Sequence, residues 1–140
     1  MAGKRVYPTI FTPADGIILV EVPDLEIQTE GKDYPDAIEM ARDAIGLKGI
    51  SLEDAGLPIP EASDISAVAP EKGTFAEVGK GYVSLVDIDF MAYRRKIDTK
   101  TVRRNVTLPN WLNQEAEAAH INVSKVLQEA LMSRLGVNKY

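Results

Sequence analysis

Apolar and polar positions alternate most clearly near the end of the chain. Across residues 102–108, Val102, Val106 and Leu108 fall on one side of a short strand, and Arg103, Asn105 and Thr107 on the other, because side chains alternate along a strand. Pro109 has no amide hydrogen, so it ends the strand and suits the first turn of a helix. Leu112, Ala116 and Ala119 then recur at helical spacing. His120-Ile121-Asn122 breaks that run. Val123, Leu127, Ala130, Leu131 and Leu135 form a second apolar stripe. Asn122 or Ser124 can cap this second helix by accepting backbone hydrogen bonds, and Gly136 stands where a C-cap is expected.

The earlier pattern predicts a sheet with one helix. Residues 6–11 (VYPTIF) and 17–22 (IILVEV) read as a hairpin around the turn at 12–16, with Pro8 tolerable at an edge. Residues 26–29 could add a short third strand. Asp33 looks like a helix cap, with Pro35 and Asp36 in the first turn. Tyr34, Ala37, Ile38, Ala41 and Ile45 give that helix one apolar face. Gly46 is expected to loosen or end it, with 51–55 as a brief further turn. Residues 56–60 (GLPIP) form a rigid extended segment. A loop over 61–72 and a short strand at 74–78 lead to the turn at 79–81. The best strand of this half is 82–90 (YVSLVDIDF), with Val86, Ile88 and Phe90 on one face. The pattern therefore predicts an α+β chain: a sheet-plus-helix domain over 1–93, a basic linker over 94–100, and a strand-helix-helix domain over 101–140.

The last unit is too small to stand alone. Its core stretch of about 35 residues lies below the ~40 at which a free-standing core becomes improbable, and a lone strand leaves its amides and carbonyls unpaired. A second copy of the chain solves both problems. Two strands pair antiparallel, and Val102, Val106, Leu108, Leu112, Leu127 and Leu131 become the shared core of a homodimer, with higher-order assembly left open. The other face of the ribbon shows Arg103, Asn105 and Thr107 twice, and a two-stranded ribbon fits the DNA major groove.

R-R-N-V-T-L-P, then a helix, then N-V-S-K-V-L-Q-E-A-L resembles the ribbon-helix-helix family of DNA-binding proteins. That resemblance implies that Arg103, Asn105 and Thr107 read bases. It also implies that the start of the second helix, from Asn122 through Ser124 to Lys125, holds a phosphate at the positive end of the helix dipole. Arg104 departs from the family, which usually has an apolar residue there; it is expected at the rim of the core with its head in solvent. The first half resembles the HicB antitoxin family. The features are a hairpin beginning near Tyr7-Pro8, then V-P-D-L (22–25), T-E-G (29–31) before a D-A-I-E-M-A-R-D-A-I helix, then G-L-P-I-P and a hydrophobic strand. Leu25-Glu26-Ile27 stands where members often carry Pro-Gly-Cys. The resemblance implies a partial ribonuclease-H-like domain, a small basic ribonuclease toxin of the HicA type as partner, and repression of the shared promoter by the tail.

Charge sharpens this division. Residues 1–92 hold seven Lys/Arg against seventeen Asp/Glu, a net −10; residues 93–140 hold nine against four, a net +5. The tail suits phosphate, and the body suits a basic protein. The chain has no cysteine, which excludes disulfides and thiolate metal sites and fits a reducing compartment. No stretch reaches the ~18 apolar residues of a membrane span, and the N-terminus lacks the apolar core of a signal peptide, so a cytoplasmic location and no membrane partner are expected.

Catalysis has thin support. Asp87 and Asp89 share a strand face, and Asp15 and Asp24 sit in turns; such carboxylates can hold Mg²⁺ for phosphodiester cleavage. That makes a metal-dependent, ribonuclease-H-like nuclease one alternative, and a ligand-sensing ribbon-helix-helix repressor another. His120, the single histidine, cannot build a typical Zn²⁺ site without cysteine. Trp111 beside Pro109 reads as a packing residue. The sequence contains no Gly-rich phosphate loop and no nucleophile–base pair, so the expectation is a binding protein without cofactor, metal or catalytic residues; the toxin-contact residues are not legible.

Overall fold

A computed structural model describes residues 3–137 of the protein. Residues 1–2 and 138–140, which open and close the two expected domains, lie outside the described residues. The chain forms two compact units, Met1–Lys100 and Thr101–Tyr140.

In the first unit the hairpin is longer than its apolar runs. β1 (Lys4–Ala14) and β2 (Ile17–Val22) pair antiparallel across Asp15-Gly16. Both turn residues have positive φ, 36° and 83°, as a two-residue hairpin turn requires. A 3₁₀ turn over Pro23–Leu25 leads to β3 (Ile27–Gly31), which pairs with β2. β4 (Tyr82–Asp89) adds antiparallel on the far side of β1, giving the order β3-β2-β1-β4. β1 is thus an interior strand, which corrects the expectation that Pro8 marks an edge. Tyr7 and Thr9 lie opposite Val86 and Ser84 of β4, while the ladder with β2 begins only at Ile10. Backbone groups alternate in direction, so the missing amide of Pro8 faces the β2 side, beyond the end of that ladder.

α1 (Tyr34–Asp54) starts at Asp33, whose side chain accepts from the Asp36 amide at 2.9 Å; Asp36 in turn accepts from the Lys32 amide at 2.8 Å. Ala37, Ala41 and Ile45 are buried against the sheet, and Tyr34 and Ile38 stay at the exposed margin. Gly46 does not end the helix, which absorbs the turn expected at 51–55. The reason is α2 (Phe90–Ile97), where the sequence suggested a connector from 93 onward. A Cβ at Gly46 would come within 2.6 Å of the Tyr93 ring, and one at Gly49 would collide with the Phe90 ring. Each helical glycine costs about 1 kcal/mol. Each aromatic seated on these glycines returns roughly 1.5–3 kcal/mol by burial. Arg94 adds ion pairs to Asp54 at 2.9 Å and Glu53 at 3.9 Å. The basic stretch therefore begins as packed helix.

The strand expected at 74–78 is absent; that segment is a run of turns. Residues 61–81 hold two 3₁₀ turns, Ile65–Ala67 and Pro70–Lys72. They are pinned by carboxylates: Glu21 accepts from the amide and hydroxyl of Thr74, and Asp24 from those of Ser63. Side-chain acceptors thus take the place of a ladder. The core lies between one sheet face, with Tyr7, Phe11, Val20, Val22, Ile27, Val86 and Ile88, and the two helices, with Ala37, Ala41, Ile45, Phe90 and Tyr93.

Candidate functional site

In the second unit the predicted helices are present. Pro109 is the residue before α3 (Asn110–Ala118) and accepts its first bond from Asn113. His120, with φ 55°, reverses the chain, and the Ile121 amide closes the turn on the Ala116 carbonyl. α4 (Val123–Leu135) ends at Gly136, φ 69°. Of the two candidate caps, Asn122 acts: its side chain accepts from the Lys125 amide at 3.1 Å. The amides of Val123 and Ser124 then head the helix without an acceptor among the described residues. Those two amides stand at the positive end of the helix dipole. The Lys125 amide, expected to join them, is already used.

Nothing in the described part of this unit, residues 101–137, is buried. Val102 is 89% exposed and Leu131 53%; residues that a sequence reading assigns to a core are left open by a single copy. Residues 101–109 carry neither helix nor ladder, so the expected strand has no partner within one chain. A groove of about 630 Å³ runs between this segment and α4, lined by Val102, Arg103, Arg104, Asn105, Leu127 and Leu131 among others. The structure thus brings Arg103 and Asn105 beside the apolar α4 stripe, and Arg104 with them. Thr107 does not line the groove. The two strand faces are not segregated in the lone chain.

In the first unit three of the four carboxylates singled out as candidate metal ligands have other work, and the fourth, Asp15, stands in the hairpin turn. Arg42 donates from Nη2 to Asp87 Oδ1 at 3.0 Å and from Nε to the Asp87 carbonyl at 3.1 Å. The hydrogen bond from Arg42 holds the Asp87 carboxyl below its ordinary range. Asp89 caps α2 by accepting from the Ala92 amide at 3.1 Å, and Asp24 holds Ser63. Among the described residues no group of three His, Cys, Asp or Glu side chains is placed to share a metal ion, and no helix is long and apolar enough to cross a membrane. Sequence reasoning missed Arg42 and the Tyr93–Asp43 pair. Tyr93 is buried, and its hydroxyl donates to Asp43 at 2.5 Å. Burial first, then this bond, push its pKa up. The signal was Tyr93 three residues after Phe90, a spacing that places both on one helix face.

Two solved structures share the fold. The toxin-antitoxin complex from Streptococcus pneumoniae matches with a TM-score of 0.61 at 20% identity, over 94% of this chain and 99% of that one. The crystal structure of the Burkholderia pseudomallei antitoxin HicB matches with a TM-score of 0.51 at 23% identity, over 94% of this chain and 98% of that one. At such identity the likeness is one of fold. No protein-family model and no curated protein matches the sequence.

Proposed function

We propose that this chain is an antitoxin and autorepressor, not an enzyme. The first unit, read as a partial ribonuclease-H-like domain, neutralises a small basic ribonuclease of the HicA type. The second, read as a ribbon-helix-helix domain, dimerises and binds operator DNA. The observation that carries this reading is the fold shared along 94% of the chain with the solved HicB antitoxin. Two further features support it. The second unit leaves its apolar positions open while carrying five Lys/Arg against three Asp/Glu, a net +2, over residues 101–140, and the rest of the basic stretch lies just before it, mostly in α2. The net −10 of residues 1–92 suits a basic protein.

The nuclease alternative is not favoured, because Asp87 and Asp89 are engaged by Arg42 and by the first turn of α2. The reading expects a short basic reading frame beside the gene, and the test is co-expression with its product. The chain is expected to restore growth, to co-purify with that product, and to retard promoter DNA. Failure to bind the product or to restore growth rejects the antitoxin role; failure to bind the promoter rejects the repressor role.

A further inference from the structure

We infer that the open edge of β4, with the apolar side chains beside it, is the surface on which a strand of the basic partner docks. This rests on the antitoxin reading and adds the place and mode of contact. β4 is an outermost strand. Its C-terminal neighbour Phe90 donates its amide to the Gly3 carbonyl, so position 90 faces β1, whereas the Asp87 carbonyl is met by Arg42 of α1. Because main-chain groups alternate in direction along a strand, Ser84, Val86 and Ile88 face β1. Val83 and Leu85 turn their amides and carbonyls outward. No bond from another element reaches those groups among the described residues. Arg42 closes the edge at Asp87 and so limits the open stretch to the residues before it.

Three observations make this stretch a docking strand for a basic protein. Natural edges are usually blunted by charge or proline, yet residues 82–86 (YVSLV) carry neither. Leu85 is 52% exposed and Val6, on the same sheet face, 43%; Ile65, on the 3₁₀ turn that packs against β4, is also exposed. Close by, the charges are mixed, with Asp87 paired to Arg42, Lys4 opposite Asp89 and Lys80 over Tyr82, so the pull on a basic partner comes from the net −10 of residues 1–92. Ladder bonds and apolar contact supply affinity in such strand addition, and the net negative charge of the unit favours a cationic partner. A second copy of this unit is the poorer occupant, since two surfaces of like charge repel.

Hydrogen exchange on the full chain, free and in complex with the small basic protein that the antitoxin reading expects to be encoded beside its gene, tests this. The amides of Val83 and Leu85 are expected to exchange freely in the chain alone and to be protected in the complex. Leu85→Asp is expected to raise the Kd at least tenfold, and Leu57→Asp, at an equally exposed site on the 56–60 segment, to leave it within about twofold. Should Leu85→Asp fail to fold, the exchange data on the native chain decide. A complex that forms without added protection at these two amides overturns the docking surface and leaves the antitoxin reading standing. Concentration-dependent protection in the free chain overturns it in favour of a second copy. No complex at all overturns both.

Discussion

Under the proposed ribbon Arg103 and Asn105 belong to the strand, while Lys125 stands at the head of α4, and this difference in place separates their expected roles. Arginine pairs with guanine and asparagine with adenine through paired hydrogen bonds. Arg103→Ala and Asn105→Ala are expected to cost about 1–3 kcal/mol per contact and to narrow the gap between operator and scrambled DNA. Lys125→Ala should weaken both duplexes alike and lower the salt slope by about one. Affinities for the two duplexes at several salt concentrations check this; an unchanged ratio in the Arg103 and Asn105 variants removes the ribbon as reader. Tyr93 supplies a second residue-scale case. Its folded pKa lies above its ordinary value. Burial and the bond to Asp43 both favour the protonated phenol, so the stability tied to it is fully present below the unfolded pKa of about 10 and is lost as pH rises through the higher folded one. Tyr93→Phe is expected to lose about 1 kcal/mol at neutral pH. That gap should close in alkaline denaturant titrations.

Among the elements, the seam between α1 and α2 is set by absent side chains. Gly46 and Gly49 read as weak points in a helix, yet each faces an aromatic ring of α2. Alanine at an exposed helical glycine gains roughly 1 kcal/mol. At Gly49 the added methyl must displace Phe90, which is 1% exposed in the core. Gly49→Ala is therefore expected to destabilise the first unit by about 1–3 kcal/mol, as overpacking does. A urea midpoint equal to or above that of the native chain contradicts this. The same seam explains why the expected connector is helical: Phe90 and Tyr93 have a place to bury, and Asp89 caps the turn that carries them.

For the molecule as a whole, the two units differ in self-sufficiency. The first closes a core on itself. The second has no buried residue among those described and holds its apolar stripe open. Under the dimer proposal Val106, half-exposed in one copy, enters a shared core. Val106→Asp would then cost several kcal/mol if its carboxylate stayed ionised and unpaired there. The full-length variant is expected to sediment as a monomer at concentrations where the native chain is a dimer, with the melting of the first unit unchanged. Equal masses for the two proteins speak against pairing through this strand.

Local chemistry made much of this legible in advance. The hairpin, the Asp33 cap, the buried Ala37–Ala41–Ile45 face, the two tail helices and the Gly136 cap rest on neighbours in sequence: alternation, helical spacing, capping oxygens and positive φ. What the sequence could not decide were contacts between residues far apart along it. Pro8 reads as an edge residue until β4, more than seventy positions later, pairs beside it. Gly46 reads as a breaker until Tyr93 packs on it. Residues 74–78 read as a strand until Glu21 takes the Thr74 amide. Asp87 reads as a free carboxylate until Arg42 reaches it across the end of the sheet. Sequence pattern records what a residue prefers when its partner is unspecified; the partner, and with it the strand order, the helix ends and the free edge of β4, is chosen only when distant segments compete for the same hydrogen bonds and the same apolar surface.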